Sequence, residues 1–219
     1  PWPLTTRMRR IRALSTLDRT AVAEAGVVTA DLDRAAAEHG LMHAPDPSSH
    51  EVSTIGGNVA TNAGGLCCVK YGVTRQSVLG LEVVLPDGRV LRTGAGTTKD
   101  VAGYDLTGLF TGSEGTLGVI TAATVRLRPR PAGAPVTVAA AFGSLAEAGE
   151  AVARVVGERV DVSLLALLGR STLRAVDEWK RIGLDDVAAL LLGQCDGSNG
   201  PDEAARLAQV CEGAGAAYV

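Results

Sequence analysis

The chain has 219 residues, which suits one large domain or two small ones, and 46% of them are hydrophobic, so a core can form. Only 3% are aromatic, so that core is built from Ala, Val, Leu and Ile. A formal net charge of −3 argues against a nucleic-acid surface, while backbone amides can still hold small anionic ligands on such a protein. Glycine accounts for 27 residues, well above the ~7% of ordinary usage. The four cysteines, Cys67, Cys68, Cys195 and Cys211, form no C-x-x-C pair, which points to free thiols in a reducing, cytoplasmic setting. No apolar run approaches the ~18 residues of a transmembrane segment.

In chain order, MRRIRAL and RTAVAEAGV read as two strands joined by a turn at Ser15 to Asp18. Arg7, Arg9, Arg10 and Arg12 read as a solvated strand face rather than a basic patch. TADLDRAAAEHG reads as a helix with Thr29 as N-cap, Asp31 and Asp33 in its first turn and Gly40 as its stop. APDPSS (Ala44 to Ser49) is non-helical, because each proline forces its predecessor into extended conformation. VLGLEVVLPDGRVLRTG predicts a β-hairpin around PDG, and DLTGLFTGSEG a short helix running into a glycine-rich turn. LGVITAATVRLRPRP follows as a strand, in which Val125 and Leu127 alternate with Arg126, Arg128 and Arg130.

PRPAGAP (Pro129 to Pro135) is the natural boundary. Beyond it VTVAAAF is strand-like, SLAEAGEAVARVVGE is a helix capped by Ser144, and DVSLLALLG is a strand or a buried helix. STLRAVDEWKRIG is a helix, DVAALLLGQCDG a strand, and GPDEAARLAQVCEGAG a helix with Pro201 in its first turn. The order predicts an α+β arrangement of antiparallel strands with helices on one face, stopping at Val219 before any closing strand.

The segment TIGGNVATNAGG, Thr54 to Gly65, carries the question of function. No lysine follows its glycines as a phosphate-binding P-loop requires, and it lacks the G-x-G-x-x-G dinucleotide fingerprint. The regular spacing of Ile55, Val59 and Ala63 also separates it from a flexible linker. Two readings remain, a structural glycine turn and a loop whose backbone approaches a ligand. In the second, Gly56, Gly57, Gly64 and Gly65 offer unobstructed N–H donors to a pyrophosphate. Thr54, Thr61 and Ser49 add hydroxyls, and Asn58 and Asn62 offer amides to a heterocycle. His39, His43 and His50 fit no zinc spacing, so no metal site is expected.

PDPSSHEVSTIGGNVATNAGG, KYGVTRQSVLGLEVVLPDGRVLRTG, TTKDVAGYDLTGLFTGSEGTLGVIT and RLRPRP together resemble the FAD-linked oxidase family of the p-cresol methylhydroxylase (vanillyl-alcohol oxidase) type. The similarity is strongest to its glycolate oxidase D-subunit, D-lactate and D-2-hydroxyglutarate dehydrogenase branch, in order from Met8 to Arg130 and more weakly through ALLLGQCDG. The resemblance implies a second FAD-binding subdomain of antiparallel sheet with flanking helices over residues 1–131. The start of a ferredoxin-like cap domain would follow over 132–219. It implies FAD as cofactor, lined by Pro47, Ser48, Ser49, Thr54, Ile55, Gly56, Gly57, Asn58, Thr61, Asn62, Gly64 and Gly65. Glu114, Gly115, Gly118, Val119 and Ile120 would pack near the adenosine half. Small residues would then occur in Thr54–Gly65 because the flavin fills the space.

By the same resemblance Lys70 and Tyr71 pass near the flavin edge as candidate catalytic groups; a snorkelling lysine beside a packed tyrosine is the alternative. Cys67 and Cys68 follow the glycine loop and read as buried, inert thiols. The family's first subdomain and the later half of its cap, which carries its metal histidines and substrate arginine, fall outside this sequence. The chain thus resembles the middle of a longer dehydrogenase that passes hydride from a 2-hydroxy carboxylate to FAD, with a quinone or protein as electron acceptor. Alternatives are an alditol oxidase-like or alkyl-dihydroxyacetone-phosphate synthase-like enzyme, or a non-catalytic flavin-binding fragment.

Overall fold

A computed structural model describes residues 7–97, 99–181, 183 and 187–219. The opening PWPLTT, Thr98 of the TTKD stretch, and Ile182 and 184–186 between the last expected helix and strand lie outside the described residues. The chain divides into two compact units, Pro1–Arg130 and Pro131–Val219.

The first unit runs β1 (Ile11–Ser15), β2 (Thr20–Glu24), α1 (Thr29–Ala37), β3 (Leu41–Met42), α2 (Ile55–Thr61), α3 (Cys68–Tyr71), α4 (Thr74–Ser77), β4 (Val78–Val84), β5 (Val90–Thr93), α5 (Leu106–Phe110), β6 (Val119–Arg126) and β7 (Arg128–Pro129). Its described residues form a sheet ordered β1-β2-β6-β4-β5, antiparallel at every step, with β3 and β7 paired separately. The two expected hairpins are present. In the first, Asp18 accepts from the Ser15 hydroxyl at 2.8 Å. In the second, Gly88 adopts φ +85°, the left-handed conformation that the PDG turn needs.

One sheet face sends Ala21, Ala23, Leu81, Val83, Ala123 and Val125 into a core shared with Leu32 and Ala36 of α1, Ile55 and Val59 of α2, and Phe110 of α5. Each large aliphatic group buried there contributes about 1.5–3 kcal/mol. The basic strand β1 belongs to an ion-pair chain. Glu24 meets Arg10 and Arg12, both at 3.2 Å, while Glu82 meets Arg12 at 3.3 Å and Arg92 at 2.9 Å. The Arg10 backbone N–H, with the two guanidinium groups, holds the Glu24 carboxyl below its ordinary range despite burial.

Helix α1 departs from expectation at its start. Val28, not Thr29, is the N-cap, and no side chain caps the helix. The Thr29 hydroxyl donates to the Ser53 carbonyl at 3.1 Å and accepts from the Asn58 amide at 2.8 Å. A tertiary contact has displaced the local cap. Asp33 likewise serves packing, accepting the His43 N–H at 3.0 Å and pairing with Arg130 at 2.7 Å.

The second unit runs β8 (Val136–Phe142), α6 (Leu145–Gly157), β9 (Leu164–Gly169), α7 (Arg170–Lys180), β10 (Ala189–Cys195) and α8 (Gly200–Gly213). DVSLLALLG resolves as strand. The sheet order is β8-β10-β9, antiparallel throughout, so β8 and β9 are parallel with β10 between them, as in a ferredoxin-like unit. Ala148, Ala151 and Val155 of α6 and Leu207, Val210 and Cys211 of α8 share one core with Ala140, Phe142, Ala189, Leu191 and Cys195. Ser144 and Glu147 form a reciprocal capping box on α6. Burial pushes the Cys211 thiol up. Contrary to expectation, pairing at the free edge of β8 does begin. The Ala141 N–H donates to the Tyr218 carbonyl at 2.9 Å, and the Ala217 N–H to the Ala141 carbonyl at 2.8 Å. The reason is geometric: the exit from α8 returns the chain alongside β8.

His43 supplies a pH test. It is 6% exposed, its Nδ1 is buried without a partner, and burial pushes its pKa down to about 4 against the opposing charge of Asp33. A depressed histidine pKa favours the neutral form in the fold, so its contribution is fully present above the unfolded value near 6.5. It is lost as pH falls toward 4, a change on the order of 3 kcal/mol. Melting temperature should therefore fall between pH 6.5 and 4. His43→Phe, which cannot titrate, should flatten the slope in that window; an unchanged slope would reject the assignment.

Candidate cofactor-binding site

The segment expected as an open loop is for the most part helix. Ile55–Thr61 forms α2, and the Thr54 hydroxyl caps it by accepting the Gly57 N–H at 3.2 Å. The N–H groups of this first turn are engaged by the protein. Ile55 donates to the Val27 carbonyl and Gly56 to the Ala25 carbonyl, both at 2.8 Å. Gly65 donates to Cys68 Sγ at 2.8 Å, and Cys67 and Cys68, expected to be buried, are only half-buried because they sit at the start of the short surface helix α3. The expectation of unobstructed donors at Gly56, Gly57 and Gly65 is thus corrected, because the turn after β2, the Thr54 cap and the Cys68 thiol already accept from them.

The reason for small residues is corrected too, at particular positions. A Cβ on Gly56 would lie 2.5 Å from the Ala25 Cβ and 2.9 Å from its carbonyl oxygen. One on Gly65 would meet the Asp46 backbone at 2.5–2.6 Å, and one on Gly118 would lie 2.7 Å from Val83 Cγ1. At these three positions protein fills the space. Asn58 is buried with its amide on Thr29, and Ile55, Pro47 and Ile120 are buried as well.

What remains accessible is narrower and chemically coherent. Gly57, Thr61 and Gly64 are exposed. A Cβ on Gly57 would meet only the Thr54 hydroxyl at 3.2 Å, and one on Gly64 would make ordinary contacts at 3.9 Å. Thr61 turns its hydroxyl inward, onto the Gly57 carbonyl at 3.0 Å. Gly57 and Gly64 thus leave backbone open at the surface on either side of Thr61 in sequence, where a flat ligand can approach. Ser48 and Ser49 are exposed beside this segment in sequence, and the Ser49 carbonyl accepts from Ser53 at 2.7 Å, next to the start of α2.

The second candidate cluster meets the far end of α2. The Gly112 N–H donates to the Val59 carbonyl and the Glu114 N–H to the Ala60 carbonyl, both at 2.9 Å. Left-handed conformations at Gly112 (φ +85°), Glu114 (φ +51°) and Gly115 (φ +79°) make that docking turn. A Cβ on Gly115 would meet nothing within 4 Å, and Val119 is 49% exposed. Thus Thr54–Gly65 and Glu114–Val119, widely separated in sequence, line one region, with Asn62 (φ +49°) at their junction.

Sequence reading missed three residues that hold this region. Asp46 accepts the Cys67 N–H at 3.1 Å, Thr29 holds Asn58, and Arg75 donates to the Gly108 and Thr111 carbonyls at 2.5 and 2.7 Å. None carries a local signal; only the aspartate of PDP stands in a marked turn. Two cations stand near the Tyr71 ring, with Lys70 Nζ 6.0 Å and Arg128 Cζ 5.8 Å from its centre. Among the described residues no cluster of three or more His, Cys, Asp or Glu has metal-holding geometry, and no helix is long and apolar enough to cross a membrane.

Residues 3–94 match the model of the FAD binding domain, and residues 133–219 match that of the C-terminal domain of FAD linked oxidases. The chain is 44% identical over 191 residues to glycolate oxidase subunit GlcD of Bacillus subtilis (strain 168), a match covering 87% of this chain and 40% of that protein. It is 51% identical over 113 residues to a D-lactate dehydrogenase of Archaeoglobus fulgidus, covering 52% of this chain and 25% of the relative. A solved structure of an alkyldihydroxyacetonephosphate synthase superposes with a TM-score of 0.82 at 22% identity, over 96% of this chain and 41% of that one. The chain therefore spans about two fifths or less of the length of these proteins.

Neighbouring glycines in α2 should respond differently to a methyl group. Gly56→Ala forces the helix off Ala25 and should cost about 1–3 kcal/mol, typical of overpacking. Gly57→Ala should change stability by less than about 1 kcal/mol, since a helical alanine replaces a glycine on the open side. Urea unfolding of both variants measures this, and equal losses would refute the two-sided reading of the helix.

Proposed function

We propose, from the membership of this chain in the FAD-linked oxidase family, that it forms the second part of a FAD-binding domain (1–131) and the beginning of the cap domain (132–219) of a longer flavoenzyme. That enzyme oxidises a 2-hydroxy carboxylate such as glycolate, D-lactate or D-2-hydroxyglutarate. FAD, when bound, supplies the acceptor for the hydride leaving the substrate's α-carbon. The observation that carries the reading is the open backbone at Gly57 and Gly64, on a segment joined end-on to the Glu114–Val119 turn.

In this reading that open backbone lies against the cofactor. Ser48 and Ser49 offer hydroxyls, and the Glu114–Gly115 turn with Val119 borders the adenosine half. Lys70 and Tyr71 stand toward the flavin edge, where a cation beside the ring favours negative charge. Electrons pass on to a quinone or a protein acceptor, in the cytoplasm or at a membrane surface reached through a partner. The relatives with substrate-bearing names, at 44% and 51% identity, favour the 2-hydroxy acid class. The synthase likeness at 22% identity speaks for fold alone.

Purified as the longer protein, the enzyme should be yellow, and anaerobic D-lactate, glycolate or D-2-hydroxyglutarate should bleach its visible absorbance. Lys70→Ala should lower turnover more than melting temperature. A colourless protein, or one reduced by none of these acids, would reject the reading.

The 219-residue chain alone should hold FAD weakly. FAD has about 53 heavy atoms, and at roughly −0.3 kcal/mol per atom a complete site reaches about −16 kcal/mol. Half the contacts must still offset the whole cost of immobilising the ligand, which leaves about micromolar affinity at best. Equilibrium dialysis measures it, and nanomolar binding would show that the chain holds a complete site.

A further inference from the structure

We infer that Arg75, which stands outside both candidate cofactor-lining segments, is a positioning residue that sets the distance between them and thereby the affinity for FAD. The inference rests on the FAD reading above. Three contacts carry it. The Arg75 backbone N–H donates to Asn62 Oδ1 at 2.9 Å. Its guanidinium donates through one nitrogen to the Gly108 carbonyl at 2.5 Å and through the other to the Thr111 carbonyl at 2.7 Å. Asn62 ends α2 in left-handed conformation, and Thr111 immediately precedes Gly112, whose N–H returns to the Val59 carbonyl of α2 at 2.9 Å.

These contacts close a ring: the end of α2, Asn62, Arg75, the end of α5, the Gly112–Glu114 turn, and α2 again. One side of the ring bears the Gly57–Gly64 segment and the opposite side bears Glu114 to Val119. Without Arg75, two direct backbone bonds still join the sides, at Gly112 and Glu114. Removing the guanidinium leaves the backbone N–H on Asn62 in place but takes both donors from the Gly108 and Thr111 carbonyls, so Asn62 and the end of α5 lose their link and the two sides can rotate about the remaining bonds. A planar, two-donor fork is required, since a lysine ammonium on its flexible stem cannot hold both carbonyls in the same fixed geometry. The guanidinium also offsets partial negative charge where carbonyls converge at a helix end.

The test uses the longer flavoprotein stripped of FAD and titrated back, with flavin fluorescence for Kd, visible circular dichroism for flavin geometry, and melting of the apoprotein. Arg75→Ala should raise the Kd for FAD about tenfold or more and alter the flavin dichroism, while apoprotein melting moves by only a few degrees. Arg75→Lys should recover part of the loss, and millimolar methylguanidinium should partly restore Arg75→Ala. If Arg75→Ala does not fold, Arg75→Lys carries the test, with a raised Kd and altered dichroism again expected. A Kd within about twofold of the parent and an unchanged flavin spectrum in the folded variant overturn the positioning role while leaving the FAD reading intact. A large melting loss with unaltered dichroism reduces Arg75 to a structural residue. A wild-type protein that takes up no FAD removes the FAD reading, and this inference with it.

Discussion

The first unit depends on the close approach of α2 to the turn that follows β2. Gly56 sits so near Ala25 that a single methyl group would collide with both its side chain and its carbonyl. At that distance the carbonyls of Ala25 and Val27 accept the first N–H groups of α2, and Ile55 and Val59 enter the core. A short glycine-containing helix has little stability of its own. Here the turn after β2 supplies its first hydrogen bonds and the sheet its apolar partner. With its start anchored, its far end presents the Val59 and Ala60 carbonyls to Gly112 and Glu114.

Small residues in this segment therefore serve two opposite surfaces. Gly56 and Gly65 are small because protein lies against them, and Gly57 and Gly64 leave backbone open on the accessible side. A bulkier helix would satisfy neither requirement. The anchoring groups around it are polar: Thr29 on Asn58, Asp46 on Cys67, Arg75 on the end of α5. Each satisfies a backbone or amide group that burial would otherwise leave costly, which is why such contacts rigidify a site.

The second unit is ordered by a simpler principle. Its two long helices, α6 and α8, bury alanine-rich faces on one side of three antiparallel strands, and small side chains let helix and sheet approach closely. The fold of the chain resembles that of a protein only 22% identical, because volume and pattern at core positions are preserved more readily than identity. Chemistry does not follow from that likeness; it resides in the side chains that line a site.

Much of this was legible in the sequence. The PDG turn, the alternation of Val125 and Leu127 with arginines, the Ser144 cap and the helix opening at Pro201 are local signals, set by φ preferences, side-chain period and hydrogen bonds within a few residues. The glycine-rich motifs likewise carried the family resemblance, since they are continuous stretches of unusual composition. Only the tertiary structure decided what each glycine is small for, why Thr29 holds Asn58 instead of capping α1, and how Arg75 joins Asn62 to Gly108 and Thr111. Those outcomes depend on groups 13 to 36 residues apart in the chain. No periodicity or turn preference encodes such pairings, because they exist only once the sheet has brought β2, α2 and α5 within hydrogen-bonding distance.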